Sequence, residues 1–178
     1  MLKRLIQDRR GVSAIEFALI APIMILFYFG MTELTTSLMA ERKASHAASA
    51  VGDLVAQNAS VTEQDVADIF NIADEVVRPF PTATLRTCLL SIRADKNGSP
   101  KVEWVKTNRS PTQCLAAGDT VTGLPADLIT ANQGLVQAQV EYAYTSPINY
   151  FLPSPVVFKE RFYLRPRQSE FVELKKPK

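Results

Sequence analysis

The sequence predicts an α+β protein in which an N-terminal transmembrane helix continues into a stalk, and a second helix packs on a sheet of about four antiparallel strands. Three observations predict this fold. Residues 12–31 are apolar over a length that suits a bilayer, the next residues keep helical periodicity to about residue 57, and the second half of the chain alternates between apolar and polar residues.

The apolar run of residues 12–31 contains two clearly polar residues, Ser13 and Glu16. About 20 helical residues, each rising ~1.5 Å, match a hydrocarbon core of ~30 Å. A buried core helix would show a polar face. A cleaved secretory signal would end at small residues, whereas Leu38 lies two positions before the nearest candidate, Ala40. We therefore favour a retained span over these two alternatives.

The charges beside this run predict its orientation. Basic residues stay on the cytoplasmic side, and a basic cluster precedes the run, so residues after Met31 are expected outside the cytoplasm. Cys88 and Cys114 lie in that exported part, where disulfides persist. We predict that they form one, and two free buried thiols are the alternative. The formal net charge of +2 argues against nucleic-acid binding.

Residues 32–57 predict a stalk helix, because apolar residues recur there at intervals of three and four. Pro22, inside the span, lacks an amide hydrogen and should kink or loosen the helix. The predicted apolar face of the stalk comprises Leu34, Leu38, Ala44, Ala47, Ala48, Val51, Leu54 and Val55.

Residues 58–166 are predicted to form the exported α+β domain. Thr62 followed by Asp65 is typical of a helix start, and that amphipathic helix should end near Arg78. Four strands follow in the prediction, and the first two form a hairpin around Asn97 and Gly98. Residues from Arg165 onward look like a loose tail, and residues 167–178 form the flexible tail beyond the domain. The predicted strands are residues 85–94, 102–107, 135–145 and 156–167.

Glu16 needs a separate explanation, because an ionised side chain at the bilayer centre costs about 2.5 to 3.5 kcal/mol. Glu16 lies one turn inside the boundary, where the cost is smaller and the positive end of the helix offsets part of it. A second interpretation includes Gly11 and Val12. Cleavage after Gly11 would make Val12 an ammonium terminus, with Glu16 at the fifth position and able to pair with it, either within one chain or between subunits.

A basic leader ending in glycine, an acid at the fifth mature position, an apolar helix and an exported domain resemble a type IV prepilin or pseudopilin. Within that group, "RRGVSAIEFALIAPIMILFYFGMTEL" closely resembles the start of TadE/TadG-like pseudopilins of the tight adherence (Flp) pilus system. Glu16 followed by the aromatic Phe17 and the mid-helix Pro22 carry this resemblance. The resemblance covers about the first 50 residues. Near the end of the chain, "VEYAYTSPI" and "ERFYLRPR" show a weaker similarity to the late strands of the same family.

The resemblance implies a leader of residues 1–11 that a prepilin peptidase removes between Gly11 and Val12. It implies that Glu16 and Phe17 serve peptidase recognition or subunit pairing. The partners would be that peptidase, the inner-membrane pilus assembly platform and other pilins or pseudopilins. The protein would be a single-pass component of the bacterial inner membrane with a periplasmic domain, acting as a minor pilin in or at the tip of a pilus.

The sequence predicts no catalytic, metal or cofactor site and no small-molecule substrate. The single histidine, His46, lies in the stalk without suitable partners, and nucleotide-binding loops, CxxC and nucleophile-elbow motifs are missing from the sequence. We therefore expect no enzyme. Two other hypotheses stay open: a membrane-anchored periplasmic binding or adaptor protein whose signal anchor is not cleaved, and an exported enzyme whose site forms from distant residues.

Overall fold

A computed structural model describes residues 11–125, 128–152 and 155–175. Residues 1–10 of the predicted leader and the end of the predicted tail, residues 176–178, lie outside this description. The α+β class is confirmed, with a long apolar helix, a second helix and a four-stranded antiparallel sheet. In chain order the elements are α1 (Val12–Ala56), β1 (Ser60–Thr62), α2 (Glu63–Val77), β2 (Leu85–Ala94), β3 (Pro100–Asn108), β4 (Gly134–Tyr144), β5 (Val156–Leu164) and β6 (Glu173–Lys175).

Helix α1 joins the predicted span and the predicted stalk into one element of 45 residues, which continues through Pro22. At ~1.5 Å per residue it is about 68 Å long, roughly twice the hydrocarbon thickness of a bilayer. Its first half projects from the rest of the fold, and the part after Ala40 packs against α2, β4 and β5. One continuous helix therefore links the apolar N-terminal half to the core of the domain.

From Ala44 onward the buried face of α1 is largely the predicted one, but before Ala44 it differs from the prediction. Leu34 and Leu38 are exposed, and Glu33 and Ser37 are buried in their place. The reason is steric, because small side chains allow the helix backbone to lie close to the sheet. A Cβ added at Gly52 would lie 2.6 Å from a methyl carbon of Leu164. The buried residues of α1 are Glu33, Ser37, Ala40, Ala44, Ala47, Ala48, Val51, Gly52, Val55 and Ala56.

Helix α2 begins as the Thr62 and Asp65 pattern predicts. The Thr62 hydroxyl accepts a hydrogen bond from the Asp65 N–H at 3.2 Å, and the Asp65 carboxylate accepts one from the Thr62 N–H at 2.8 Å. This reciprocal capping box satisfies backbone donors that the first turn leaves unpaired. Val66, Ile69 and Ala73 on the inner face then pack in the same core as α1.

The main sheet has the strand order β3-β2-β4-β5, and all neighbours are antiparallel. The predicted apolar face of β4 packs against the helices. The alternation of apolar and polar residues in this strand is typical of a second face in contact with water, but Gln137, Gln139 and Glu141 on that face are buried as well. This face is covered by a second apolar cluster, to which loop residues such as Val121 and Leu128 belong. A central strand buried on both faces is the consequence.

The segment after β5 is another difference from the prediction of a loose tail. The Arg167 N–H donates to the Ala56 carbonyl at 2.8 Å, and β6 pairs in parallel with β1. Val172 is buried, and its carbonyl accepts a hydrogen bond from the Trp104 indole at 2.8 Å. Residues 165–175 therefore close one side of the domain, because backbone groups of α1, β1 and the hairpin provide partners that the sequence of the tail does not reveal.

Candidate functional site at the N-terminal helix

Gly11, Val12, Glu16 and Phe17 lie at the free end of α1. Gly11 is the N-cap residue, with φ of −85° and no side-chain cap, and Val12 is the first residue of the α-helix. The bond between Gly11 and Val12, which the resemblance predicts to be the cleavage site, therefore lies at the start of α1. All four residues are exposed, and Phe17 is 72% exposed. A Cβ added at Gly11 would meet nothing within 4 Å, so the surrounding fold does not require glycine there.

Val12 and Glu16 lie four residues apart in this continuous helix and therefore share one face. Among the described residues, no hydrogen bond or ion pair connects Glu16 to another side chain, and it lies far along α1 from the α+β domain. Among the described residues its carboxylate is therefore exposed and unbound.

The N-terminal half of α1 is long and apolar enough to cross a membrane, and its most apolar window has no residue buried in the fold. An apolar surface of this size is unfavourable in water, so lipid tails or neighbouring helices would cover it. The large exposed apolar residues between Val12 and Met31 are Val12, Ile15, Phe17, Leu19, Ile20, Ile23, Met24, Ile25, Leu26, Phe27, Tyr28, Phe29 and Met31.

Glu33, two residues beyond the predicted span, is a functional candidate that the sequence interpretation missed. It is fully buried, and its carboxylate accepts hydrogen bonds from the backbone N–H groups of Phe151 at 2.8 Å and Leu152 at 3.4 Å. Burial favours a higher pKa for the Glu33 carboxyl, but hydrogen bonds from Phe151, the Ser146 hydroxyl and Leu152 outweigh it and lower the pKa. The carboxylate thus holds a distant loop against α1.

A sequence signal for Glu33 does exist. Glu33, Ser37, Ala40 and Ala44 follow one another at intervals of four, three and four, which places the acid on the small-residue face of the helix. Leu34 and Leu38 form a neighbouring stripe of greater hydrophobicity, which is why hydrophobic periodicity predicts that stripe to be buried. The size of the side chains, rather than their hydrophobicity, marks the face that packs.

Cys88 and Cys114 form a disulfide with a Cα–Cα distance of 6.1 Å. Cys88 lies on β2, and Cys114 lies in the loop between β3 and β4. Both contribute to the second apolar cluster of the sheet. The bond therefore holds this long loop on the sheet face that α1 and α2 do not cover.

A second carboxylate anchors the start of the same loop. Glu141 of β4 accepts hydrogen bonds from the Thr112 hydroxyl at 2.9 Å and the Thr112 N–H at 3.1 Å. Burial favours a raised pKa for Glu141, but these bonds and the positive charges of Lys159 and Arg86 lower it.

Across the described residues, no group of three or more His, Cys, Asp or Glu side chains has an arrangement suited to a metal ion, and His46 is exposed.

Comparison with known proteins places the resemblance on this part of the chain. Residues 11–53 match the family model described as TadE-like protein. Searches of curated proteins and of solved structures find no significant match. The matched segment begins at Gly11 and covers almost all of α1, including the free apolar half, Glu33 and the small-residue face as far as Gly52. Over residues 11–53 the chain is thus TadE-like, and the resemblance predicted from its sequence is confirmed there.

Proposed function

We propose that this chain is a TadE-like minor pilin or pseudopilin, processed by a prepilin peptidase and acting in the assembly of a tight adherence pilus. The observation that carries the proposal is the family match over residues 11–53, which starts at the glycine that immediately precedes α1. The mature protein would remain in the inner membrane, with its N-terminus at the cytoplasmic face and its domain in the periplasm.

The chemistry of the N-terminal site supports this proposal. Cleavage after Gly11 would place an ammonium group at the first residue of α1, one helical turn from Glu16. An unpaired ammonium or carboxylate in low dielectric is costly, whereas a pair of opposite charges reduces that cost. The terminus of one chain and Glu16 of a neighbour could form such a pair while exposed apolar faces of their helices pack together.

The domain supplies a scaffold rather than a reaction centre in this proposal. Its sheet is covered on one face by α1 and α2 and on the other by the disulfide-bonded loop. A disulfide-bonded domain on a continuous helix suits a subunit that presents surfaces to pilins and to the assembly platform.

The first experiment is N-terminal sequencing, with intact mass, of the protein extracted from its native membrane. A terminus at Val12 supports peptidase processing. A terminus at Met1 contradicts it and favours a membrane-anchored binding or adaptor protein, and a terminus beyond Ala40 contradicts both by indicating a secreted soluble form.

Variants separate the roles of the two site residues. We expect Gly11→Leu to block leader removal, and because nothing surrounds Gly11, the fold of the domain should not change. Glu16→Gln should be cleaved at least in part and should fail in assembly. Ala18→Leu and Glu41→Gln are matched controls for added bulk and for a lost carboxylate, and both should support piliation. Normal piliation by Gly11→Leu and Glu16→Gln would contradict the proposal.

A further inference from the structure

The loop of residues 146–152, which we call the interface loop, lies against α1 at the end of the predicted span. Its sequence, SPINYFL, contains no charged residue. Ile148 is 37% exposed, Tyr150 73% and Phe151 47%. A short loop of a periplasmic domain that presents three large apolar side chains to solvent has an unfavourable surface unless something covers it.

The position of the interface loop along α1 indicates what covers it. Ile148, Tyr150 and Phe151 line a shallow apolar groove together with Leu26 and Phe29 of α1. Phe151 also lies beside Gly30, where an added Cβ would be 3.6 Å from its ring. Leu26 and Phe29 are three positions apart, so the groove extends about 4.5 Å along the last turns of the predicted span.

This surface is continuous with the surface that lipid would cover. Leu26 and Phe29 are themselves exposed, and they belong to the apolar half of α1 that has no burial in the fold. If α1 crosses a bilayer at residues 12–31, the outer headgroup region surrounds Gly30 and Met31 and hence the loop tip. Tyrosine and other aromatic residues favour that region, because their rings are apolar and amphipathic.

The loop is also held at this depth by the fold. The buried Glu33 carboxylate accepts hydrogen bonds from the N–H groups of Phe151 and Leu152, and the Ser146 hydroxyl accepts bonds from the N–H groups of Ile148 and Asn149, each at 3.3 Å. Backbone groups that would otherwise need water are thereby satisfied within the protein, as a lipid environment requires. The side chains of Tyr150 and Phe151 are left to face outward.

We propose that the interface loop inserts Ile148, Tyr150 and Phe151 into the outer leaflet of the membrane and so seats the exported domain directly on the bilayer surface. This inference rests on the membrane anchoring in the proposed function, but it needs neither cleavage after Gly11 nor entry into a pilus. The domain would then keep a defined height and tilt above the membrane, although one helix anchors it.

The test uses the full chain reconstituted into vesicles of phosphatidylethanolamine and phosphatidylglycerol, whose acyl chains carry bromine either near the headgroup or near the chain end. Tyr150→Trp and Ile148→Trp are the reporters, and the buried Trp104 is common to all samples. Ala131→Trp is the control, because Ala131 lies beyond the opposite end of β4, about 30 Å from the loop. Phe27→Trp reports whether the span is inserted.

We expect shallow bromine to remove roughly half or more of the added emission of both loop reporters, as for an aromatic residue at headgroup level. Ala131→Trp should keep its emission. If Phe27→Trp is quenched and both loop reporters are not, the inference is overturned while the anchoring stands. If Phe27→Trp is not quenched either, the anchoring fails together with the inference. A blue shift of the loop reporters without quenching indicates that a second copy of the chain covers the loop, and it also overturns the inference.

Discussion

The Glu33 carboxylate accepts a hydrogen bond at 2.8 Å from the backbone N–H of Phe151, a residue 118 positions later in the chain. This contact joins the end of the predicted span to the loop after β4. It fixes where this loop lies along α1, because the same carboxylate also accepts a bond from the N–H of Leu152. A buried acid with several backbone donors positions a loop more strongly than a neutral side chain would.

The first prediction concerns this contact. Glu33→Ala should release the interface loop, because it removes the acceptor for the part-buried N–H groups of Phe151 and Leu152. Amide hydrogen exchange at these two positions should accelerate about tenfold or more, since each loses a charge-assisted bond. Exchange in β2 should stay unchanged. Glu41→Ala is the matched control, and unaltered exchange at Phe151 in Glu33→Ala would show that the loop is held by other contacts.

The second prediction concerns Glu141 and acid. Its pKa is lowered in the folded protein, so its contribution to stability is fully present above the ordinary value of 4.5 and is lost as the pH falls through the lowered folded value. Denaturant unfolding between pH 7 and pH 3 should therefore show a smaller pH dependence in Glu141→Gln than in the unmodified protein. Glu103→Gln, at an exposed position of β3, is the control. Equal pH dependence in all three proteins would contradict the role of Glu141.

The third prediction concerns Gly134, the first residue of β4. An added Cβ would lie 2.5 Å from the Glu170 carbonyl oxygen and 2.7 Å from the Phe171 Cα, and these backbone atoms cannot rotate away. Gly134→Ala should therefore lower the free energy of unfolding by about 1 to 3 kcal/mol. It should also speed amide exchange at Glu173, whose N–H donates to the Ala59 carbonyl.

Ala131→Ser serves as the control for Gly134→Ala, because it adds one atom at an exposed position of the preceding loop. It should change neither the stability nor the exchange at Glu173. If the Glu173 amide is as well protected in Gly134→Ala as in the unmodified protein, the position of residues 165–175 does not depend on their close approach to β4.

The fourth prediction concerns the disulfide. Cys88 and Cys114 are separated by 26 positions, and closing a loop of that size stabilises a protein by about 3 to 3.5 kcal/mol in the chain-entropy account. Replacement of both by Ser should lower the unfolding free energy by about that amount. Amides of residues 115–124 should lose protection, whereas those of α1 after Ala40 should keep it. If the double variant, the reduced native protein and the oxidised native protein all have the same stability, the disulfide does not brace the domain.

The sequence by itself determined the elements whose signals are local. The apolar length of residues 12–31, the capping pattern of Thr62 and Asp65, and the Asn97-Gly98 turn each depend on neighbours within a few positions, and the structure has a helix, a capped helix start and a hairpin there. The two cysteines were identifiable because their pairing follows from compartment and number.

Only the tertiary structure decided which face of α1 is buried, what covers the second face of β4 and where the last residues lie. Glu33 binds backbone groups more than a hundred positions away, and Val172 is buried by Trp104 and its neighbours, so their environments have no local signature. Hydrophobic periodicity reports how apolar a stripe is, but the closeness of two backbones depends on side-chain volume across the interface. Leu34 and Leu38 therefore remain exposed beside the small-residue face, and Glu33 is buried because the loop after β4 donates hydrogen bonds to its carboxylate.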